Sequence, residues 1–168
     1  MKISIFTFLF FSLSLSVCLS QKFGHMNSQL LLMEMPEIKK ADAELQNYQK
    51  QLISKGQDMV KKFEANYTKY VNEAQTGDLS TLEMQNRESQ LQAERNAIQE
   101  YELEIQEKIG LKREELYKPL FDRVKEVITK YGKQNGYTMI FDTAITGALV
   151  HAATSDDITA VIKKELGL

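Results

Sequence analysis

Two long stretches of helical periodicity, separated by one short break, constrain this chain more than any other feature. From Pro36 to Ala74, and again from Met84 to Tyr131, apolar residues recur at spacings of three and four. This spacing places the apolar side chains on one stripe of an amphipathic helix. Because the connection is short, the two helices are predicted to fold back on each other as an antiparallel hairpin.

The break "AQTGDLSTLE" carries the signals that end one helix and begin the next. Gly77 is a suitable C-cap for the first helix. Ser80, with Glu83 three residues later, is a capping box that predicts the start of the second helix. Asn135 and Gly136 predict its end.

Prolines mark the base of the predicted hairpin on both limbs. Pro36 suits a first helical turn, and folding the chain about Gly77 and Asp78 brings Pro119 opposite it. A proline within a helix removes a hydrogen bond and kinks or loosens it, so Pro36 and Pro119 are predicted to form a hinge. Beyond them each limb extends for about 41 residues, or roughly 60 Å at 1.5 Å per residue.

Short strand-like segments flank the hairpin at residues 23–27, 137–142 and 147–152, where apolar and polar residues alternate. The tail after residue 154 is predicted to be a helix with Ser155 as its N-cap and two aspartates in its first turn. Two lysines, Lys163 and Lys164, would lie in its last turn.

These segments together predict an α+β protein that is predominantly α. Residues 21–35 and 119–168 would form a small β body, and residues 36–118 an arm inserted after the first strand. Such a body buries little core by itself and leaves strand edges unpaired. We therefore expect it to assemble with further copies, so that the arms project together.

The first 20 residues resemble a secretory signal peptide. Lys2 precedes an apolar and serine-rich run, and Cys18 and Ser20 occupy the −3 and −1 positions if cleavage precedes Gln21. A membrane anchor is one alternative, and "LSVC" also resembles a lipoprotein box that would lipidate Cys18. Cleavage after Ser20 would remove the only cysteine, and with it any disulfide or thiol chemistry.

Composition and motif content give no support to catalysis or nucleic-acid binding. The net charge of −2 leaves no strongly basic field. The two histidines, His25 and His151, fall in predicted strands, where a structural role is a simpler interpretation than a metal site. The chain has no Gly-rich phosphate loop and no nucleophile elbow. We expect a protein that is not an enzyme and binds neither metal nor cofactor.

Apolar residues that lie off the hairpin seam are the candidate binding residues, because a two-helix arm in water has no internal need for them. They could form a dilute apolar lining that contacts many segments of an unfolded chain weakly. The alternative is that they are isolated surface residues of the kind every protein has. They are Ile53, Val60, Tyr67 and Val71 on the first limb and Leu82, Leu103 and Leu111 on the second.

Charge is distributed unequally between the limbs. Between Lys50 and Ala74 five lysines accompany three acidic residues, whereas between Glu83 and Glu107 seven glutamates accompany two arginines. The limbs could therefore partly neutralise each other, which argues against binding driven by positive arm charge.

The pieces "KFGHMNSQLLLMEMPE", "NGYTMIFDTA" and "SDDITAVIKKEL", around a long charged hairpin, make the chain resemble the Skp/OmpH family of periplasmic chaperones from end to end. The resemblance implies a homotrimer whose short strands build a shared β body and whose arms surround a cavity. In this family the cavity holds unfolded outer-membrane proteins until they reach the membrane. The best-known members are basic, so no lipopolysaccharide-binding site is carried over to this acidic chain.

The resemblance implies an ATP-independent holdase of the periplasm with unfolded outer-membrane β-barrel proteins as clients. A structural coiled-coil adaptor or spacer of the cell envelope, with or without a lipid anchor, is the alternative. For the trimer contacts we expect one set of body residues, Phe23, Met26, Met139, Phe141, Leu149 and Val150.

Overall fold

Two long helices lie between two short strands in a computed structural model that describes residues 21–147 and 149–168. The predicted signal peptide, with Cys18, lies outside these residues. The order of elements confirms the α+β, predominantly helical class with a helical hairpin after the first strand. The elements are β1 (Lys22–Met26), α1 (Ser28–Glu34), α2 (Pro36–Thr76), α3 (Thr81–Gln134), β2 (Tyr137–Asp142), a 3-10 turn (Thr154–Asp156) and α4 (Thr159–Leu166).

The hairpin helices begin and end where local chemistry predicts. Pro36 occupies the first turn of α2, and Gly77 ends it in the left-handed region at φ 76°. The Ser80 hydroxyl accepts from the N–H of Glu83 at 3.3 Å, and the Glu83 carboxylate accepts from the N–H of Ser80 at 2.8 Å. The predicted capping box is therefore present at the start of α3.

The two prolines are offset across the hairpin. Arg123 donates to the Glu37 carboxylate at 2.8 Å, and the Tyr117 hydroxyl donates to Asp42. Pro119, inside α3, therefore lies between these two levels, and Pro36 faces a point about one helical turn closer to the body. The difference from direct opposition arises because the link between the helices extends to Ser80, so the hairpin is centred beyond Gly77 and Asp78.

The strands pair in parallel, with Phe23 opposite Met139 and His25 opposite Phe141. The whole arm connects them. Across the outer edge of β1, the N–H of Ile158 donates to the carbonyl of His25 at 2.9 Å. The tail thus covers β1, whereas β2 has no strand on its outer edge within residues 21–147 and 149–168.

The core of the body lies where α1, α4 and the base of α3 meet the sheet. Ile162, on α4, is fully buried, and Met26 is 2% exposed. This corrects the expectation that Met26 contacts another copy, because α4 already covers its face of β1. The buried core residues are Met26, Leu31, Met35, Val124, Ile158, Ile162 and Leu166.

No strand forms over residues 147–152 among the residues that the structure describes, in contrast to the sequence prediction. Val150 is 98% exposed. The chain that follows it contacts the sheet through a hydrogen bond between His25 Nε2 and the carbonyl of Ala153, at 3.1 Å. Alternating side chains make a strand only where a partner edge is available. In this chain the edge of β1 is occupied by the later residues Asp157 and Ile158, and residues 149–152 do not pair with the open edge of β2.

The last helix starts later than predicted. Ser155 and Asp156 belong to the 3-10 turn, and α4 begins at Thr159. Asp157, instead of Ser155, accepts from the N–H of Thr159, at 2.8 Å. The hydrogen bond from the N–H of Ile158 to the carbonyl of His25 holds this segment against β1, and Asp157 keeps an extended backbone. The helix therefore starts after Ile158. The two lysines of the last turn, Lys163 and Lys164, are placed as predicted.

Gly24 is expected to tolerate no side chain. A Cβ there would stand 2.7 Å from Cε1 of Tyr137, whose ring is held between Tyr131 and the amino group of Lys22. Gly24→Ala should lower the free energy of unfolding by about 1–3 kcal/mol, measured by urea unfolding. The matched control is Gly110→Ala within α3, which meets no atom within 4 Å and should raise stability by up to about 1 kcal/mol. Equal stability of the Gly24 variant and the parent would contradict the tight contact.

Two aspartates are expected to make the body sensitive to acid. Burial acts to raise the pKa of Asp142 and Asp157, but hydrogen bonds from Ser28 and Ala144 to the first, and from Thr159 to the second, hold both pKa values below the usual 3.8. A carboxyl whose pKa is lower in the folded state stabilises the fold above the unfolded pKa. This stabilisation is lost as the pH falls below about 3.8 and then through the lower pKa values that the two aspartates have in the folded protein.

The double variant Asp142→Asn, Asp157→Asn removes this titration while keeping an acceptor oxygen at each site. Its stability, measured by urea unfolding on both sides of pH 3.8, should fall less steeply in acid than that of the parent. Parallel pH profiles for the two proteins would reject the assignment.

Candidate functional site

The arm is tightly packed only in the half nearest the body. Ala41, Leu45, Leu52 and Tyr101 are buried there, and the Tyr101 hydroxyl donates to the carbonyl of Leu52 at 3.2 Å. From residue 53 to residue 100 no side chain is buried. The outer half is therefore held by a single seam of half-buried residues, which resists bending and separation weakly.

Polar contacts replace apolar packing in the seam of the outer half. The Asn66 amide donates to the Glu94 carboxylate at 2.7 Å, and the Tyr70 hydroxyl donates to Glu88 at 2.6 Å. The bond to Glu88 raises the pKa of Tyr70 above its usual value, because it stabilises the protonated hydroxyl. Polar pairs at seam positions fix the register of two helices at a cost in stability.

The off-seam residues predicted from the sequence are largely exposed. Leu103 is 77% exposed and Val60, the least exposed of the six, 37%. Val71 differs, since it is half-buried at the edge of the seam. The exposed six are Ile53, Val60, Tyr67, Leu82, Leu103 and Leu111.

Two of the six come together on one side of the hairpin. Ile53 and Val60 line an open groove of about 570 Å³, whose other wall is formed by Ile98 and Ile105 of α3. Tyr67 extends the row of side chains outward and stacks on Phe63, with ring centroids 6.2 Å apart. The first limb therefore presents a row of three exposed apolar side chains at seven-residue spacing.

The second-limb candidates do not form such a row. Leu111 lines a separate groove of about 440 Å³ whose walls carry the charged residues Glu44, Lys112 and Glu115. Leu82 and Leu103 line neither groove. The structure thus separates the six exposed candidates into a first-limb row of three and three single residues on the second limb.

Gly56 and Tyr101 are parts of the first groove that sequence reasoning missed as binding residues. Gly56 has no side chain, so the groove reaches the Tyr101 ring, over which the amino group of Lys55 stands at 5.0 Å. A glycine in the interior of a helical pattern was the available signal, because it weakens a helix unless packing or function requires it.

In the part of the chain that the structure describes, direct ion pairing between the limbs across the outer arm is limited to one pair, Arg87 with Glu73. Lys61 and Lys69 form ion pairs along their own helix, with Asp58 at 3.9 Å and Glu73 at 3.7 Å. Arg87 reaches across to Glu73 at 3.4 Å. Within the described residues no lysine of residues 50–74 lies within 4 Å of a glutamate of residues 83–107.

The body also exposes apolar side chains. Phe23 and Met139, neighbours across the sheet, are 44% and 54% exposed, and Phe23 lies 6.5 Å from Phe141 between ring centroids. Phe141 and Leu149 are half-buried, while Val150 is almost completely exposed. Five of the six predicted assembly residues are thus accessible on the surface of the chain.

None of the helices in the described part of the chain combines the length and apolar character needed to cross a membrane. Residues 21–147 and 149–168 also contain no group of three or more histidine, cysteine and acidic side chains placed to hold a metal ion.

Comparisons with known proteins agree with this architecture. The structure is similar to that of an OmpH-like protein from Caulobacter crescentus, described as an outer membrane chaperone, with a TM-score of 0.73 and 15% sequence identity. The similarity covers 87% of this chain and 83% of the other, and at this identity it establishes the fold. No curated protein sequence matches the chain. A family model of outer membrane protein (OmpH-like) sequences matches residues 22–166, which span both the body and the arm, and the chain therefore belongs to the OmpH-like family.

Proposed function

We propose that this protein is an ATP-independent holdase chaperone that binds unfolded outer-membrane β-barrel proteins in the periplasm. The observation that carries the proposal is the row of exposed apolar side chains, Ile53, Val60 and Tyr67, on an arm with no internal use for them. Membership of the OmpH-like family and the fold shared with an OmpH-like chaperone support it. The predicted signal peptide supports the location.

The thin outer seam suits this role. An unfolded chain presents apolar segments of many shapes, and a wall that bends easily can adapt to them. Each partly exposed aliphatic side chain contributes at most about 1–2 kcal/mol, so one contact binds weakly and releases readily without nucleotide hydrolysis. Several arms acting on one client would add such contacts through multivalency.

Assembly through the body would supply those several arms. We propose a trimer that meets through Phe23, Met139, Phe141, Leu149 and Val150. The open outer edge of β2 and the exposed side chain of Val150, which belongs to no strand, are the two features that favour sheet pairing between copies. A monomeric mass in light scattering at micromolar concentration would reject this assembly.

The holdase proposal is tested by diluting a denatured β-barrel membrane protein into buffer with and without this protein. We expect light scattering from client aggregation to be suppressed in the absence of nucleotide, and ATP to make no difference. A folded β-barrel protein in detergent is the control and should not bind. Undiminished aggregation at a several-fold excess of this protein would reject the function.

Pro119 is proposed to loosen the base of the arm, because it lacks the N–H that would donate to the carbonyl of Glu115. Pro119→Ala should restore that bond and slow amide hydrogen exchange over residues 116–123. Exchange over the body strands should not change. If exchange over residues 116–123 is the same in both proteins, proline does not set the flexibility of the arm base.

A further inference from the structure

The groove beside Gly56 has the geometry of a binding site for a helix. Ile53 and Val60 are seven residues apart on one wall, and Ile98 and Ile105 are seven apart on the other. Seven helical residues rise about 10.5 Å, whereas side chains on one face of a strand repeat about every 6.7 Å. Apolar rows at seven-residue spacing are the contact rows of coiled coils, so a third helix matches these walls better than an extended chain does.

Helix α2 itself carries the complementary surface. Ile53, Val60 and Tyr67 form a row with the same seven-residue spacing, and they are 51%, 37% and 53% exposed. Gly56 provides the hole into which such a side chain can fit. A Cβ added at Gly56 would stand 3.5 Å from the Tyr101 ring, which is an ordinary van der Waals contact. The arm's own residues therefore leave the space beside Gly56 open.

The rims of the groove carry opposite charges. Lys61 lies on the α2 rim and Glu102 on the α3 rim. The Lys61 side chain is 75% exposed and contacts Asp58 only at 3.9 Å, which leaves it able to pair elsewhere. When α2 of a second copy lies along the groove, its Lys61 can pair with Glu102 on the α3 rim, and in a ring of three copies the same contact repeats from each arm to the next.

We propose that the groove beside Gly56 is a self-docking surface, covered in the client-free protein by α2 of a second copy. An unfolded client that binds the row Ile53, Val60, Tyr67 must then displace that arm. The competition with clients rests on the proposed holdase function, whereas the contact between arms does not.

Disulfide formation between copies tests the contact. In the full chain with Cys18→Ser, a single cysteine is introduced by Val60→Cys, and its oxidation to covalent pairs is followed on non-reducing gels. The matched control is Leu103→Cys, which is more exposed but lies outside the groove. We expect Val60→Cys to form pairs about tenfold faster, because docking holds the two residues at a high effective concentration.

A second substitution fills the groove. Gly56→Leu, added to the Val60→Cys chain, should reduce pair formation to the rate of Leu103→Cys without changing the mass of the assembly. Unfolded client should also slow pair formation. Equal rates for Val60→Cys and Leu103→Cys, or no effect of Gly56→Leu, would overturn the proposal, and aggregation suppression by the parent would then still support the holdase. Pair formation without aggregation suppression would support self-docking and reject the holdase.

Discussion

Replacing Ile53, Val60 and Tyr67 together by serine is expected to weaken the binding of an unfolded β-barrel client at least tenfold. Each side chain is about half exposed, so each contributes about 1 kcal/mol when a client covers it. Three such losses exceed the 1.4 kcal/mol that corresponds to a tenfold change in Kd. Any one of the three replacements alone should have an effect of only a few-fold.

The measurement is a titration of labelled client at low and moderate salt, with the triple variant Leu82→Ser, Leu103→Ser, Leu111→Ser as the matched control. The control removes as many apolar residues, but they do not form a continuous row. It should therefore lose less affinity, while helicity and assembly mass are unchanged in both variants. If the first-limb variant binds as tightly as the parent, the row is not the binding surface. A strong loss of parent binding with salt would indicate electrostatic capture instead.

The second large effect is expected in the body. Ile162→Ala removes a fully buried side chain from the centre of the core and should lower the free energy of unfolding by about 2–5 kcal/mol. Val161→Ala, the next residue on the same helix but 40% exposed, is the control and should cost less than about 1 kcal/mol.

Amide hydrogen exchange is the suitable probe, because five of the seven tyrosines lie within arm residues 36–118 and tyrosine fluorescence would report mainly on the arm. Urea unfolding followed by exchange of the amides of β1, β2 and α4 reports on the body, whereas far-ultraviolet circular dichroism is dominated by the arm. Similar urea midpoints for Ile162→Ala and Val161→Ala would show that α4 is not essential to the core.

The limits of the arm helices could be predicted because they are set by local chemistry. Gly77 at the end of α2, and Ser80 with Glu83 at the start of α3, satisfy the backbone groups of their own helix and need no distant partner. The seam and the exposed row follow from helical spacing alone. Among the seven off-seam candidates, Val71, at the border between the seam and the exposed row, is half-buried, whereas the other six are exposed.

Features that depend on distant partners could not be predicted in the same way. Residues 147–152 have the alternation of a strand, but the available edge of β1 is taken by Asp157 and Ile158. The same bond moves the start of α4 beyond Ser155. Met26 lies on an inner face whose burial depends on where α4 packs, and the groove at Gly56 depends on the register between two limbs. None of these is determined by the neighbouring sequence.

The parallel pairing of β1 with β2 also imposes an order on events during folding. Lys22 meets Tyr137 across more than a hundred residues of intervening chain, so the sheet cannot close until almost the whole polypeptide is available. The hairpin needs only contacts between residues that become close once the turn at Gly77 forms, and it can zip inward from that turn. Its completion brings the two strands near each other and removes most of the entropy loss of closing so long a loop. We therefore expect the arm to form before the body, so that the exposed apolar row is present while the protein is still unable to assemble.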